Sequence, residues 1–185
     1  MELVWAETSR GQSREEAATS SYLHQRWYAL YTCANHEKRV AAELDVRSVA
    51  HFLPVYSCVR RWKDRRVTLD LPLFPGYVFV SLALRDRLKV LQIPSVVRFV
   101  AFNGLPTALP GDEMEILRTG LSRQLAAEPH PFLTAGRRVR VRSGPLAGIQ
   151  GMLLRRRGRT RFVVSVELIM RSMSVEIDEA DLEAA

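Results

Sequence analysis

The chain contains 185 residues, a length that allows one domain or two small ones. Apolar residues make up 47% of it, enough for a core, but no uninterrupted apolar run approaches the roughly 18 residues of a membrane helix. The formal net charge is +7, and all but three of the 27 basic residues are Arg. The guanidinium fork of Arg binds phosphate at two points, so this composition favours a phosphate-bearing partner, although a GC-rich genome gives the same excess of Arg.

The first two thirds of the sequence predict strands interleaved with helices after a polar head. Residues 1–25 mix Gly, Ser, Thr and Glu with little apolar content, which predicts a disordered head and does not match a secretory signal. Bounded apolar runs are typical of buried strands, and apolar residues at helical spacing are typical of amphipathic helices. The predicted strands are Arg26–Thr32, Phe52–Val59, Val67–Leu71, Tyr77–Leu82 and Val96–Phe102, and the predicted helices are His36–Val49, Leu84–Gln92 and Pro110–Leu125.

The C-terminal part of the sequence has the pattern of a small β-domain. Val139 and Val141 alternate with arginines, so one face of that strand is apolar and the other carries a row of guanidiniums. Short β-rich segments punctuated by glycines indicate a small antiparallel barrel. The further predicted segments are Met152–Leu154, a basic turn at Arg155–Arg159, Phe162–Leu168 and Met173–Ile177.

A connector separates these two parts. Pro129 and Pro131 oppose helix continuation and stiffen the chain between them. We therefore predict an α+β protein: an N-terminal α/β sandwich at residues 26–126, a linker at 127–134, and a small C-terminal antiparallel β-barrel at 135–183.

Metal-binding and catalytic residues form no convincing group in the sequence. Cys33-x-x-His36 with His51 and Cys58 supplies four possible ligands, but only the first pair has the close spacing typical of a structural zinc site. No phosphate-binding glycine loop, nucleophile elbow or carboxylate pair stands out. We predict no metal, no cofactor and no enzymatic activity. Two cysteines make no disulfide framework, which favours a reducing, cytoplasmic location.

Two motifs, in this order, resemble the NusG family of bacterial transcription elongation factors. The segments Trp27–Tyr31, His36–Val40 and Leu73–Val80 resemble its N-terminal domain, and the later glycines and valines resemble its KOW domain, an SH3-like barrel. Within the family, the basic segment around Trp62 is most similar to the specialised UpxY-type paralogues, relatives of RfaH. The positions that match the KOW motif are Gly136, Val139, Val141, Gly144, Pro145, Gly148 and Gly151.

The resemblance implies a protein that acts by binding. Its N-terminal domain is similar to one that binds the clamp helices of the largest RNA polymerase subunit and reduces pausing or termination, at all operons or at a limited set. Without the resemblance, the aromatic residues are explained equally by core packing, because strands commonly bury them. The implied polymerase-binding residues are Tyr31, Phe74, Pro75, Tyr77, Phe79 and Phe102.

A basic segment predicts a second surface. Five cations within seven residues surround Trp62, an arrangement that suits single-stranded nucleic acid or, alternatively, a solvated hairpin tip. His36 and Arg39 match positions where RfaH-like proteins approach the non-template DNA strand, although Cys33 stands where RfaH has a Lys. The candidate cations of the hairpin are Arg60, Arg61, Lys63, Arg65 and Arg66.

For the KOW domain, the resemblance implies contact with a small-subunit ribosomal protein or with the termination factor Rho. Ile169 matches an aromatic residue used in those contacts. RfaH-like relatives can hold this domain as a helical hairpin, but its β-branched residues and the Gly144-Pro145 pair oppose helix. We expect a monomer with a five-stranded barrel, loosely tethered rather than docked over Tyr31 and Phe79. The alternative function is that of a KOW-containing RNA-binding protein of the ribosome or of RNA processing.

Overall fold

Two antiparallel sheets, built from successive parts of the chain, carry most of the secondary structure in this computed structural model. The structure describes residues 22–62, 65–122, 125–133, 136–156 and 159–185, so residues 1–21 of the predicted head and Lys63 lie outside the described residues. The helices are α1 (Glu37–Val46), α2 (Arg87–Leu91) and α3 (Gly111–Ser122). The strands are β1 (Arg26–Thr32), β2 (Ala50–Phe52), β3 (Val55–Trp62), β4 (Arg65–Pro72), β5 (Tyr77–Leu82), β6 (Val96–Phe99), β7 (Ala101–Phe102), β8 (Leu105–Pro106), β9 (Ala108–Leu109), β10 (Ala127–His130), β11 (Arg137–Val141), β12 (Gln150–Arg156), β13 (Arg159–Val166), β14 (Arg171–Glu176) and β15 (Leu182–Ala184).

The N-terminal sheet has the order β2-β5-β1-β6, with β9 also paired to β1. Alternation along β1 and β5 sends Tyr28, Leu30 and Val78 to one face, where they are fully buried. Val40 and Leu44, four residues apart on α1, pack in the same cluster because that spacing puts them on one side of the helix. Helix α1 therefore packs on this face of the N-terminal sheet.

Helix α3 covers only part of the opposite face. Met114 and Leu117 of α3 pack in one cluster with Trp27 and Ala29 of β1. The Trp27 indole N–H also donates a hydrogen bond of 3.1 Å to the Glu115 carboxylate, which ties the helix to the first half of the strand. Trp27 and Ala29 are buried, whereas Tyr31 at the other end of β1 is 38% exposed. One end of this face therefore remains open to solvent.

The C-terminal sheet is antiparallel and has the order β10-β14-β13-β12-β11-β15 within the described residues. Together with the N-terminal layers it confirms the predicted α+β class, an N-terminal sandwich followed by a small antiparallel β-domain. Val139, Val141 and Phe162 point into its core. The alternation of valine and arginine in β11 has the effect predicted from the sequence, since Arg138 and Arg140 are exposed.

The segment predicted as a linker is partly a strand. Within residues 127–134, β10 pairs with β14, so the described part of the sheet has six strands where we expected a five-stranded barrel. Pro129 is compatible with this strand because β10 lies at the sheet edge and pairs on one side only. Glu128 accepts a hydrogen bond of 2.7 Å from Arg161, and this contact raises the pKa of that guanidinium. The edge strand thus belongs to the C-terminal domain.

The C-terminal domain contacts helix α3, in contrast to the loose tether expected from the sequence. A Cβ atom at Gly120 would lie 2.5 Å from Leu146 Cδ2 and 3.0 Å from the Pro145 carbonyl oxygen. The absence of a side chain at Gly120 is what allows the loop after β11 to approach the helix so closely. The contact leaves Tyr31 exposed, so the domain does not cover the open end of the N-terminal sheet.

Candidate functional site

Tyr31 and Tyr77 form an aromatic pair at the open end of the N-terminal sheet. They are direct cross-strand partners on β1 and β5, and their ring centroids lie 5.6 Å apart with an interplanar angle of 53°. Arg98, the partner of Tyr31 on β6, places its guanidinium carbon 5.3 Å from the Tyr31 ring centroid. Rings of this kind, amphipathic and stacked under a cation, are enriched at protein interfaces. No local pattern in the sequence indicates Arg98, because its pairing with Tyr31 depends on the sheet register.

The turn before β5 holds this pair in place. Gly76 has φ +85°, a left-handed conformation that favours glycine, and a Cβ there would lie 3.4 Å from the Tyr31 ring. The Gly76 carbonyl accepts a 2.9 Å hydrogen bond from the Thr32 amide, and the Gly76 amide donates a 2.7 Å bond to the Glu37 carboxylate. The Phe74-Pro75-Gly76-Tyr77 motif is thus a turn whose glycine touches one member of the pair and leads into the other.

The remaining residues predicted to bind polymerase are not equivalent to the pair. Phe74 and Phe79 are buried and pack edge-to-face, with ring centroids 5.7 Å apart, so the prediction that they touch a partner directly is corrected to a supporting role. Phe79 lies two residues beyond Tyr77 on β5 and also stacks on Phe52, with ring centroids 6.3 Å apart, and both phenylalanines belong to the same core cluster. Pro75 is exposed at the turn.

Phe102 occupies a different position. It lies in the short β7–β8 hairpin, opposite Leu105, and is 70% exposed. Among the described aromatic side chains it makes no ring contact with Tyr31 or Tyr77. Phe102 was predicted to bind polymerase together with Tyr31 and Tyr77, but in the structure it lies apart from that aromatic pair.

The described residues of the basic segment lie at the end of the long β3–β4 hairpin, as predicted. Arg61 lies directly opposite Arg66, and Trp62 opposite Arg65. The four arginines Arg60, Arg61, Arg65 and Arg66 are exposed, and none forms an ion pair with another described residue. Like charges directly opposite each other destabilise a two-stranded sheet, so this tip is electrostatically suited to a polyanion.

His36 and Arg39 lie beside the start of α1 and are exposed. The His36 Nδ1 is hydrogen-bonded to the Ser95 hydroxyl at 2.7 Å, which fixes the imidazole near the turn before β6. Within the described part of the chain, no cluster of three or more His, Cys, Asp or Glu residues is arranged to hold a metal ion. No helix in that part is long and apolar enough to span a membrane.

The residues that match the KOW motif lie at turns of the C-terminal sheet, in its core, or where two of its strands pack closely together. Gly144 and Gly148 have φ of +87° and +94° in the loop after β11, and Pro145 is exposed there, while Val139 and Val141 are buried. Gly136 precedes β11. A Cβ at Gly151 would lie 2.4 Å from the Val163 carbonyl oxygen, so only glycine fits.

The predicted contact residue Ile169 is not on the surface of this domain. It is 4% exposed and packs in the shared core, which corrects the expectation that it meets a partner. It lies in a 3₁₀ turn, Glu167–Ile169, whose last residue points inward. The next residue, Met170, has φ +51° and is 60% exposed, so Met170 is the apolar side chain that this turn presents. The sequence offered no signal for this one-residue difference.

An aromatic pair on an α/β sandwich, a basic hairpin and a KOW-type β-domain define a binding protein rather than an enzyme. Residues 25–118 match the NusG family model, described as transcription termination factor nusG. The transcription termination/antitermination protein NusG of Escherichia coli is 27% identical over 176 residues, covering 87% of this chain and 97% of that protein. The Helicobacter pylori protein of the same name is 29% identical over 133 residues, covering 65% and 76%.

A solved structure gives the same fold. The structure titled "Domain interaction in Thermotoga maritima NusG" has a TM-score of 0.56 and 21% identity, and covers 88% of this chain and 98% of that one. The family model covers half of the chain, and the chain therefore belongs to the NusG family. This membership confirms the prediction, made from the motifs, of a non-enzymatic transcription factor.

Proposed function

We propose that this protein is a transcription elongation and antitermination factor that binds RNA polymerase through the Tyr31–Tyr77 pair, with the clamp helices of the largest subunit as its site. The observation that carries the proposal is the open end of the N-terminal sheet, where Tyr31 is 38% exposed and its ring contacts the half-buried Tyr77 beside Arg98. A helical partner with apolar and acidic residues complements this surface, because the rings provide apolar area and the guanidinium provides charge.

The proposed organisation follows from this function. Residues 26–126 form the polymerase-binding domain, and strand β10 together with residues 135–183 forms a KOW domain that contacts a small-subunit ribosomal protein or Rho. The protein acts in the cytoplasm as a monomer, at all operons or at a limited set. Exposed Met170 replaces Ile169 as the KOW residue proposed to meet such a partner, since it is the apolar side chain at that turn that reaches solvent.

Affinity purification tests the proposal against the alternative of a ribosomal or RNA-processing KOW protein. The exposed guanidinium row of Arg138 and Arg140 on β11 favours that alternative. The purified chain is expected to capture RNA polymerase, and Tyr77→Ala is expected to reduce that capture. Capture of ribosomal RNA without polymerase, unchanged by Tyr77→Ala, would support the alternative.

We further propose that the β3–β4 hairpin tip binds DNA phosphates, in the non-template strand, while His36 and Arg39 approach the same strand. Each phosphate contact releases counterions, so the logarithm of affinity falls with the logarithm of salt concentration. Replacing Arg61 and Arg66 by Ala is expected to flatten that slope by roughly one to two units in transcription complexes. Binding measured across a salt series gives the slope directly.

Arg118→Ala is the matched control for the hairpin variant. Arg118 is also exposed but lies on α3, in an ion pair of 2.8 Å with Glu115. Its replacement removes one positive charge away from the hairpin and is expected to leave the slope unchanged. Identical slopes for the hairpin variant and the unaltered protein would show that the hairpin tip is a solvated turn that makes no phosphate contacts.

A further inference from the structure

Glu37 is an unusual residue in the N-terminal domain. It is only 3% exposed, although a carboxylate is costly to bury without a compensating contact. Within the described residues no Lys, Arg or His forms an ion pair with it. Its carboxylate accepts a hydrogen bond from the Gly76 amide, 2.7 Å long and 39 residues away in sequence. A salt bridge therefore does not explain the burial of this group, whereas the turn at Gly76 does.

The Gly76 peptide is held from both sides. Glu37 accepts the hydrogen bond of its amide, and the Thr32 amide donates a hydrogen bond of 2.9 Å to its carbonyl. The first contact comes from helix α1 and the second from strand β1, so the turn is fixed against two separate elements. At 2.7 Å the Glu37 contact is also the shorter of the two hydrogen bonds.

Gly76 in turn lies against the aromatic pair. The Tyr31 ring is within van der Waals distance of the position that a Gly76 side chain would occupy, and Tyr77 is the next residue in the chain. A shift of the Gly76 peptide therefore moves the backbone of Tyr77 and the packing of Tyr31 together. Arg98 contacts the same ring from the other strand and makes no contact with the turn itself among the described interactions.

We propose that Glu37 is a positioning residue for the aromatic pair: its buried carboxylate, acting through the Gly76 amide, sets the geometry in which Tyr31 and Tyr77 meet RNA polymerase. This inference rests on the proposed function of the pair. Glu37 itself does not touch the partner, because it is buried below the turn. Its effect reaches the binding surface through the Gly76 peptide group.

Two substitutions of similar size separate the hydrogen bond from packing. Glu37→Gln keeps a carbonyl oxygen that can accept from Gly76, whereas Glu37→Met fills a similar volume and accepts no such bond. Binding to core RNA polymerase on a nucleic-acid scaffold is expected to weaken about tenfold in Glu37→Met and to stay within about twofold of the unaltered protein in Glu37→Gln. The Gly76 amide proton resonance is expected to move in the Met variant and to stay in place in the Gln variant.

The same measurements in a second background test whether Glu37 acts through the pair. In a Tyr31→Ala/Tyr77→Ala protein, Glu37→Met is expected to cause no further loss of affinity. Glu37→Asp, which shortens the side chain by one methylene, replaces Glu37→Met if the latter does not fold, and a loss of about tenfold is again expected.

Full polymerase binding by a folded Glu37→Met or Glu37→Asp protein would overturn the inference, as would independent, multiplying losses in the combined variant. Normal binding by Tyr31→Ala/Tyr77→Ala would overturn the proposed function and this inference together. Loss of binding in that double variant, with full binding in Glu37→Met, would overturn the inference alone.

Discussion

Replacing Tyr31 and Tyr77 together by Ala is expected to weaken binding to RNA polymerase at least about 30-fold, because aromatic residues at the centre of an interface commonly contribute about 2 kcal/mol or more when truncated. The two rings contact each other, so the double variant removes the whole pair and avoids the partial compensation that a single replacement permits. A titration of labelled protein against core polymerase measures the change in dissociation constant.

Tyr22→Ala is the matched control for this pair. Tyr22 is about half exposed and lies before β1, outside the proposed surface. Its replacement removes an exposed tyrosine ring and is expected to leave the affinity for polymerase unchanged. Equal binding by the control and by the Tyr31→Ala/Tyr77→Ala protein would show that the aromatic pair is not the polymerase-binding surface.

Gly151→Ala is expected to destabilise the C-terminal domain by about 3 kcal/mol, near the upper end of the usual cost of overpacking. The new methyl group would lie 2.4 Å from the Val163 carbonyl oxygen and 2.7 Å from the Phe162 ring. A backbone oxygen cannot rotate away as a flexible side chain can, so β12 and β13 must separate. A heating series followed by NMR measures this effect. The dispersed amide resonances of Phe162 and Val163 are expected to disappear at a lower temperature than in the unaltered protein.

Gly111→Ala provides the comparison for Gly151→Ala. Gly111 begins helix α3, has an ordinary backbone conformation and has no atom within 4 Å of the position that an alanine methyl group would occupy. Since Ala is a better helix former than Gly, this change is expected to alter stability by no more than about 0.5 kcal/mol. If Gly151→Ala is as stable as Gly111→Ala, the close approach of β12 and β13 is not a feature of the protein.

Local sequence signals predicted the elements whose pattern is self-contained. The apolar and aromatic run Arg26–Thr32 forms β1 with the predicted bounds, and Tyr77–Leu82 forms β5 in the same way. The basic hairpin also has the predicted position, because charged residues flanked by alternating strands favour a turn. In each case the alternation of side chains is set by neighbouring residues alone.

The features that the sequence did not predict depend on distant contacts. Pro129 indicated a connector, but β10 accommodates it because the strand lies at a sheet edge and pairs with β14 only. Phe79 and Tyr77 share one face of β5 and look alike in sequence, yet Phe79 is fully buried between Phe52 and Phe74 whereas Tyr77 is only partly buried. The burial of Glu37 follows likewise from a turn far away in sequence.

Site-specific photocrosslinking from residue 31 tests the central claim most directly. A benzoylphenylalanine in place of Tyr31 keeps an aromatic ring at the exposed end of the sheet, and irradiation of a transcription elongation complex then joins it to whatever lies within contact distance. The proposed function predicts a crosslink to the largest subunit of RNA polymerase, mapped to its clamp helices. Crosslinks to ribosomal components or to DNA alone, with none to polymerase, would contradict it.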